Sequence, residues 1–300
     1  MHRPVLVREA LSYWFTRPEG VYLDGTLGGG GHTKALLENP RFRGEVIGID
    51  RDRMPEGEAL QHPRFRFQEG NFAEMPDLLA QGGVAQLSGI LFDFGLSSKQ
   101  LDDPSRGFSF QSDGPLDMRF DRQQPLTAEE VLNEYSGESL ANIFFHYAEE
   151  PKARSLAHFL VKARKTERIT TTAELRRRLI AFWRKPNPRR FLARIFQALR
   201  IEVNGELENI RHGLSASLPL LEPGGRLVAI SYHSLEDRLV KNFFKREAAD
   251  CICPPGLPVC QCGHRASLKI LTAKPIVPSE KEKKENPRSS PAKLRAAEKI

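Results

Sequence analysis

Four short segments of this chain hold residue types suited to a nucleotide-like ligand. Asp24-Gly25-Thr26-Leu27-Gly28-Gly29-Gly30-Gly31-His32 places a carboxylate ahead of a run of glycines. Glycines in such a turn let the backbone pass close beneath a bound nucleotide, where side chains would collide. Asp50 lies 26 residues after Asp24, where a carboxylate can accept hydrogen bonds from ribose hydroxyls. Asn71-Phe72 offers an amide and an apolar ring to an adenine, and Asp93 offers a third carboxylate.

These segments must be held by something, and each follows or ends a strand-like run. Val21–Asp24, Glu45–Asp50, residues 65–67 and residues 89–93 are short apolar runs, mostly of the doubly buried kind that parallel sheets need. Helical spacing at residues 33–37 and 75–80 alternates with them, which predicts an α/β fold with a doubly wound parallel sheet. The next convincing strand, residues 226–231, follows the turn Pro223-Gly224-Gly225 some 130 residues later. A crossover needs only about a dozen residues or somewhat more. The surplus shows helical apolar spacing at residues 128–134, 139–147, 151–165, 172–183 and 191–210. The expected organisation is a ligand-binding domain from residues 1–104 and 211–300, interrupted by an all-helical domain at residues 105–210. A helix at residues 235–249, strands at 268–272 and 293–296, and a charged surface loop at 278–291 complete it.

Dinucleotide dehydrogenases and methyltransferases share a glycine turn with an acid ending the second strand. Here the glycine run lacks the G-x-G-x-x-G spacing suited to a pyrophosphate. Asp24 would also repel phosphate, yet suit the cationic methionine end of S-adenosylmethionine. Asp93, ending the fourth strand, faces the crevice where a transferring methyl would sit.

The formal net charge is +7, which suits an anionic partner without choosing among RNA, DNA and a merely basic surface. The charge is uneven: residues 152–200 carry fifteen Lys and Arg against two acids, Glu167 and Glu174. A helical surface of that kind repels itself unless an anion covers it. Phe182, Trp183 and Phe191 lie among Arg184, Lys185, Arg189 and Arg190, where an unpaired base can stack. Residues 105–119, rich in Gly and Pro, read as a lid or a connector. The first residues lack a signal-peptide pattern and no stretch has the roughly 18 uninterrupted apolar residues of a membrane span, so the expected compartment is the cytoplasm. All four cysteines fall in Cys251-x-Cys253 and Cys260-x-Cys262, near His264. They can hold a structural zinc, but a C-x-C pair bites a metal less comfortably than C-x-x-C. The expectation is reduced spectator thiols and no metal.

Longer motifs add a resemblance. Asp93-Phe94-Gly95-Leu96-Ser97-Ser98-Lys99-Gln100-Leu101-Asp102-Asp103 runs into Arg106-Gly107-Phe108-Ser109-Phe110 and Asp113-Gly114-Pro115-Leu116-Asp117-Met118-Arg119. Phe196-Gln197-Ala198-Leu199-Arg200-Ile201-Glu202-Val203-Asn204 and Ser231-Tyr232-His233-Ser234-Leu235-Glu236-Asp237-Arg238 follow. Over nearly its full length the chain resembles the bacterial 16S ribosomal RNA (cytosine-N4)-methyltransferases of the RsmH type, also called MraW. The resemblance implies a Rossmann-like class I methyltransferase sheet, S-adenosylmethionine as cofactor, and a cytosine of the small-subunit decoding region as substrate. It also implies cofactor contacts at Gly30, Gly31, His32, Asp50, Phe72, Asp93 and Gln100. The amine of cytosine is a poor nucleophile, so an acceptor for its proton would help. Asp93 is the candidate, with the carbonyls of Phe94 and Gly95 as alternatives. His233 can face the crevice as well, although Ser234-Leu235-Glu236-Asp237 also reads as a helix-capping box. The competing classes are a dinucleotide oxidoreductase and an RNA-binding assembly factor without catalysis; the full set of cofactor residues speaks against the second.

Overall fold

Strand and helix alternate as their apolar spacing dictates, up to a single large interruption. A computed structural model describes residues 4–52, 61–254, 256–257 and 259–300, with backbone only at 98 and 99. Two compact units result, residues 1–95 with 207–300, and residues 96–206.

The first unit opens with α1 (Val7–Trp14), β1 (Val21–Asp24), α2 (Gly31–Leu37), β2 (Glu45–Asp50), β3 (Phe65–Glu69), α3 (Met75–Gln81) and β4 (Leu87–Asp93). The second unit carries α4 (Ser98–Asp102), α5 (Ala128–Glu134), α6 (Gly137–His146), α7 (Ala153–Arg164), α8 (Thr172–Trp183) and α9 (Arg189–Asn204). The first then resumes with α10 (Glu206–Leu220), β5 (Leu221–Ser231), α11 (Ser234–Glu247), β6 (Leu268–Ile270), α12 (Glu280–Glu285) and β7 (Lys293–Lys299).

The seven strands form one sheet in the order β3-β2-β1-β4-β5-β7-β6. The first five run parallel, and the break in strand order between β1 and β4 opens a crevice at their carboxyl ends. One face packs Trp14, Tyr22, Leu36 and Phe42; the other packs Met75, Phe92, Ile210, Leu214 and Phe243. Each such buried side chain contributes roughly 1.5–3 kcal/mol, which explains why β1, β2 and β4 have no exposed position.

The structure departs from the sequence reading in several places. β7 runs antiparallel to both β5 and β6, a direction the sequence reading had not assigned. A parallel return from β6 needs a helix packed across a sheet face, and α12, the α-helix between β6 and β7, buries no residue. That helix lies where a loop was expected, and Ser279 caps it by accepting from the Glu282 N–H. The single helix expected at 191–210 is two, α9 and α10. Gly205, at φ 59°, turns left-handed between them at no steric cost.

In the second unit α5 to α9 surround a core that includes Leu132, Phe144, Leu156, Leu179, Phe191 and Leu199. Its boundaries fall at 96 and 206 rather than at the expected 105 and 210. The segment read as a lid or connector is built into that core: Leu116 and Met118 are fully buried. Leu116 donates to the Thr170 carbonyl (3.0 Å), and its own carbonyl accepts from Glu129 (2.7 Å). The buried Asn204 side chain donates to the Met118 carbonyl and accepts from the Phe120 N–H, each at 2.7 Å.

Candidate active site

Residues 24–32 leave β1 as a tight turn stitched to both neighbouring strands. Gly25 donates to the Leu91 carbonyl (2.9 Å) and Leu27 to that of Ile49 (3.0 Å). Gly28 (φ 50°) and Gly30 (φ 67°) are left-handed, conformations that favour glycine. A Cβ on Gly29 would meet nothing within 4 Å, so the turn is open on that side. A Cβ on Gly31 would instead strike the Pro4 ring at 2.6 Å, so Pro4 packs closely on the start of α2. Asp50 closes the second side: its carboxylate accepts from the Gly28 N–H (2.6 Å) and the Asp52 N–H (2.9 Å). With a further backbone donor at Arg51, the carboxylate still has acceptor capacity left for a ligand hydroxyl. Burial raises the Asp50 carboxyl above its ordinary range.

Asp24 is buried beneath the turn, accepting from the Thr33 hydroxyl (2.8 Å) and the Thr26 N–H (3.3 Å). Burial pushes its carboxyl from 3.8 to about 6, against the opposing pull of His32, Thr33 and Thr26; Asp93 adds to the rise. The folded chain therefore holds this proton more tightly than the unfolded chain does. Its effect on stability is absent at low pH and grows into a cost as pH rises from 3.8 through about 6, reaching about 3 kcal/mol at neutral pH. We expect Asp24→Asn to raise the thermal midpoint of the ligand-free protein at neutral pH, with the gain vanishing below about pH 4. Melting curves across that range check it; a gain independent of pH would contradict the electrostatic origin.

Asn71 and Phe72 follow β3. The Asn71 side chain accepts from the Ala73 N–H (3.1 Å) and donates to Asn209 on α10 (2.8 Å). The half-buried Phe72 ring packs 5.1 Å from Phe92 and 5.9 Å from Phe94. Gly213 gives it room, since a Cβ there would meet the ring at 2.6 Å.

Asp93 ends β4 with its side chain 20% exposed. The Tyr232 hydroxyl donates to it; burial, then this carboxylate, lifts the phenol well above its ordinary range, so it stays a donor. His32 stands on the other side, Nδ1 3.9 Å from the carboxylate, while Nε2 donates to the Val5 carbonyl at 2.9 Å. The His32 side chain is only 6% exposed, so it presents little surface of its own. The sequence reading missed Tyr232 as a partner of Asp93, although it lies in a quoted motif. Nothing in the spacing marked Asn209 or Gly213. His233 proves to be the cap of α11: Nδ1 accepts from the Glu236 N–H (3.4 Å) and Glu236 accepts from the His233 N–H (3.2 Å). The capping box thus sits one residue before the expected Ser234.

Gln100 belongs to the second unit, where its Oε1 accepts from the Ser97 N–H (3.1 Å) at the start of α4. In that unit the basic excess is partly neutralised from outside the counted window. Arg168 pairs with Glu129 and Glu134, Arg194 with Glu150, and Arg200 with Glu206. Arg164 donates to the Leu132 and Tyr135 carbonyls. Lys152, Arg154, Arg176, Arg184, Lys185, Arg189 and Arg190 are exposed. Of the aromatic residues read as a base platform, Phe191 is core, and the half-buried Phe182 and Trp183 pack against it. Phe191 is 1% exposed, with Trp183 stacked on it at 4.5 Å and Phe182 at 6.3 Å. What does open to solvent is a groove of about 370 Å³ lined by Phe110, Arg176, Ile180, Asn187, Arg189 and Leu192.

A glycine turn open on one side, ringed by Asp24, Asp50 and Asp93 and an apolar ring, fits an adenosyl group bearing positive charge and is hostile to a pyrophosphate. Known proteins agree with that geometry. Ribosomal RNA small subunit methyltransferase H of Thermomicrobium roseum is 49% identical, covering 100% of this chain and 94% of its own. Proteins of the same name from Geobacter sulfurreducens and Carboxydothermus hydrogenoformans are 47% and 45% identical, again over all of this chain and 99% and 98% of theirs. The family described as the MraW methylases matches residues 1–300. The chain belongs to the MraW methylase family and is a methyltransferase with S-adenosylmethionine as its methyl donor.

Proposed function

We propose that this protein methylates the N4 amine of a cytosine in the decoding region of 16S ribosomal RNA, in the small ribosomal subunit and in the cytoplasm. The observation that carries the reading is the group of strand-end aspartates around an open glycine turn, in a chain whose relatives bear a small-subunit rRNA methyltransferase name. Among the described residues no helix is long and apolar enough to cross a membrane.

S-adenosylmethionine supplies an electrophilic methyl on a positively charged sulfur. In-line displacement needs little covalent help from the protein, so alignment at near-attack distance is the main contribution. Asp50 would hold the ribose hydroxyls, Phe72 the adenine face, and Gly30, Gly31 and the backbone beside His32 the methionine end, with Asp24 and Asp93 countering positive charge. The cytosine amine shares its lone pair with the ring; an acceptor for one of its protons localises that pair as the N–C bond forms. Asp93, which accepts from the Tyr232 hydroxyl at the end of β4, would take that proton. The exposed Lys and Arg side chains and the groove at Arg176 and Arg189 make the helical unit the face that grips RNA phosphates.

Asp50→Ala should weaken S-adenosylmethionine binding by about 1–3 kcal/mol, the cost of leaving buried hydroxyls without an acceptor. Calorimetry decides; unchanged affinity would remove Asp50 from the site. The reading as a whole is tested by incubating purified small subunits with methyl-labelled S-adenosylmethionine and digesting the 16S rRNA to nucleosides. Label in N4-methylated cytidine is expected. Label in another nucleoside, or stabilisation by NAD and not by S-adenosylmethionine, would overturn it.

A further inference from the structure

Between α11 and β6 the chain makes an excursion that the methyl-transfer site does not use. Its base is fixed: Ser267 donates to the Glu247 carbonyl (2.8 Å) and the His264 ring to that of Arg246 (2.9 Å). Beyond the base there is no core. None of the described residues in 250–264 is buried, and Ile252, Leu257 and Val259 are 46%, 45% and 69% exposed. Hydrophobic burial therefore gives this loop no reason to converge, yet four sulfur atoms meet in it. Cys251 Sγ lies 3.5 Å from Cys260 and 3.8 Å from Cys262; Cys260 lies 3.6 Å from Cys262 and 4.0 Å from Cys253. All four lie within 4.8 Å of one another.

These separations have a definite meaning. Ligands at about 2.3 Å from a zinc ion, set at the corners of a tetrahedron, stand about 3.8 Å apart. The sulfur atoms are too far apart to be bonded in pairs, and too close to sit around the larger cage of a multi-iron cluster. Backbone donors complete the environment that thiolates require. The Ile252 N–H points to Cys262 Sγ (3.4 Å), that of Cys253 to Cys251 Sγ (3.4 Å) and that of Gln261 to Cys253 Sγ (3.3 Å). The short C-x-C spacing is accommodated, since Cys260 and Cys262 reach the tetrahedral separation without help.

We propose that Cys251, Cys253, Cys260 and Cys262 form a structural zinc site that orders the loop between α11 and β6. The four thiols release their protons to solvent as the ion binds, and four protein ligands leave no open position for catalysis. The proposal replaces the expectation of spectator thiols and no metal.

The full-length protein, purified without chelator, should contain zinc equimolar with chain by elemental analysis. Replacing that zinc with cobalt should give the intense ligand-field absorption of a tetrahedral all-thiolate ion. Cys260→Ser with Cys262→Ser should lose both the zinc and the cobalt spectrum while S-adenosylmethionine affinity, measured by calorimetry, stays within about twofold, showing that the variant is folded. Added zinc should also protect the four thiols of the wild type from a thiol reagent. A protein that carries no zinc and takes up none when it is added, whose thiols react equally with and without the ion, or whose mass shows paired disulfides, would overturn the proposal.

Discussion

Asp93→Asn is expected to leave the fold intact and lower turnover by roughly 10²-fold or more, the usual contribution of a positioned proton acceptor. The substitution keeps the volume and one carbonyl acceptor, so the Tyr232 hydroxyl retains a partner. It removes the negative charge proposed to accept an amine proton and to counter the cationic sulfur. The two roles separate kinetically. If Asp93 assists the amine, the rate at saturating cofactor falls while cofactor affinity changes little; if it only anchors, affinity and kcat/KM fall together. Wild-type turnover at saturation would transfer the acceptor role to the carbonyls of Phe94 or Gly95. Tyr232→Phe provides an internal comparison, because it leaves the carboxylate in place and removes one donor to it.

Reversing Arg176, Arg184, Arg189 and Arg190 to Glu should weaken binding to 16S rRNA by about 10²- to 10³-fold at moderate salt and flatten its salt dependence. Each phosphate left without its cation takes roughly 0.7–0.9 from the slope of log affinity against log salt. These four are exposed, and Arg176 and Arg189 line the open groove. Arg178 is a poorer choice despite lying in the same basic run, since its side chain is 15% exposed and held by Glu167 and Glu174. Cofactor affinity should not change. Unaltered RNA affinity and slope in the fourfold variant would place the RNA face elsewhere.

The parts of this molecule that were legible in its sequence are those set by local rules. Val21–Asp24 and Glu45–Asp50 could be bounded because doubly buried strands end where a carboxylate begins a loop. Thr172–Trp183 could be bounded because its apolar spacing is helical from end to end. For the same reason Asp24, Asp50 and Asp93 were visible as strand-end acids. What escaped depends on partners distant in the chain. The direction of β7 follows from the absence of a packed crossover, which no residue of Lys293–Lys299 announces. Tyr232 acts on a carboxylate well over a hundred positions earlier. The aromatic residues among the arginines gave a misleading signal: Phe182 and Trp183 lean on Phe191, and the spacing that suggested an exposed platform is the spacing of a helical core. The arginine excess misled similarly, because Glu129, Glu134, Glu150 and Glu206 reach into it from outside the window in which it was counted.

If this chain methylates one cytosine of 16S rRNA through Asp93, nucleoside mass mapping of 16S rRNA shows it, using cells that lack the protein, cells with it restored, and cells restored with Asp93→Asn. N4-methylated cytidine is expected at a single decoding-region position in the restored cells, with its loss in cells without the protein and a strongly reduced level with Asp93→Asn. The same modification persisting in cells that lack the protein would overturn the assignment.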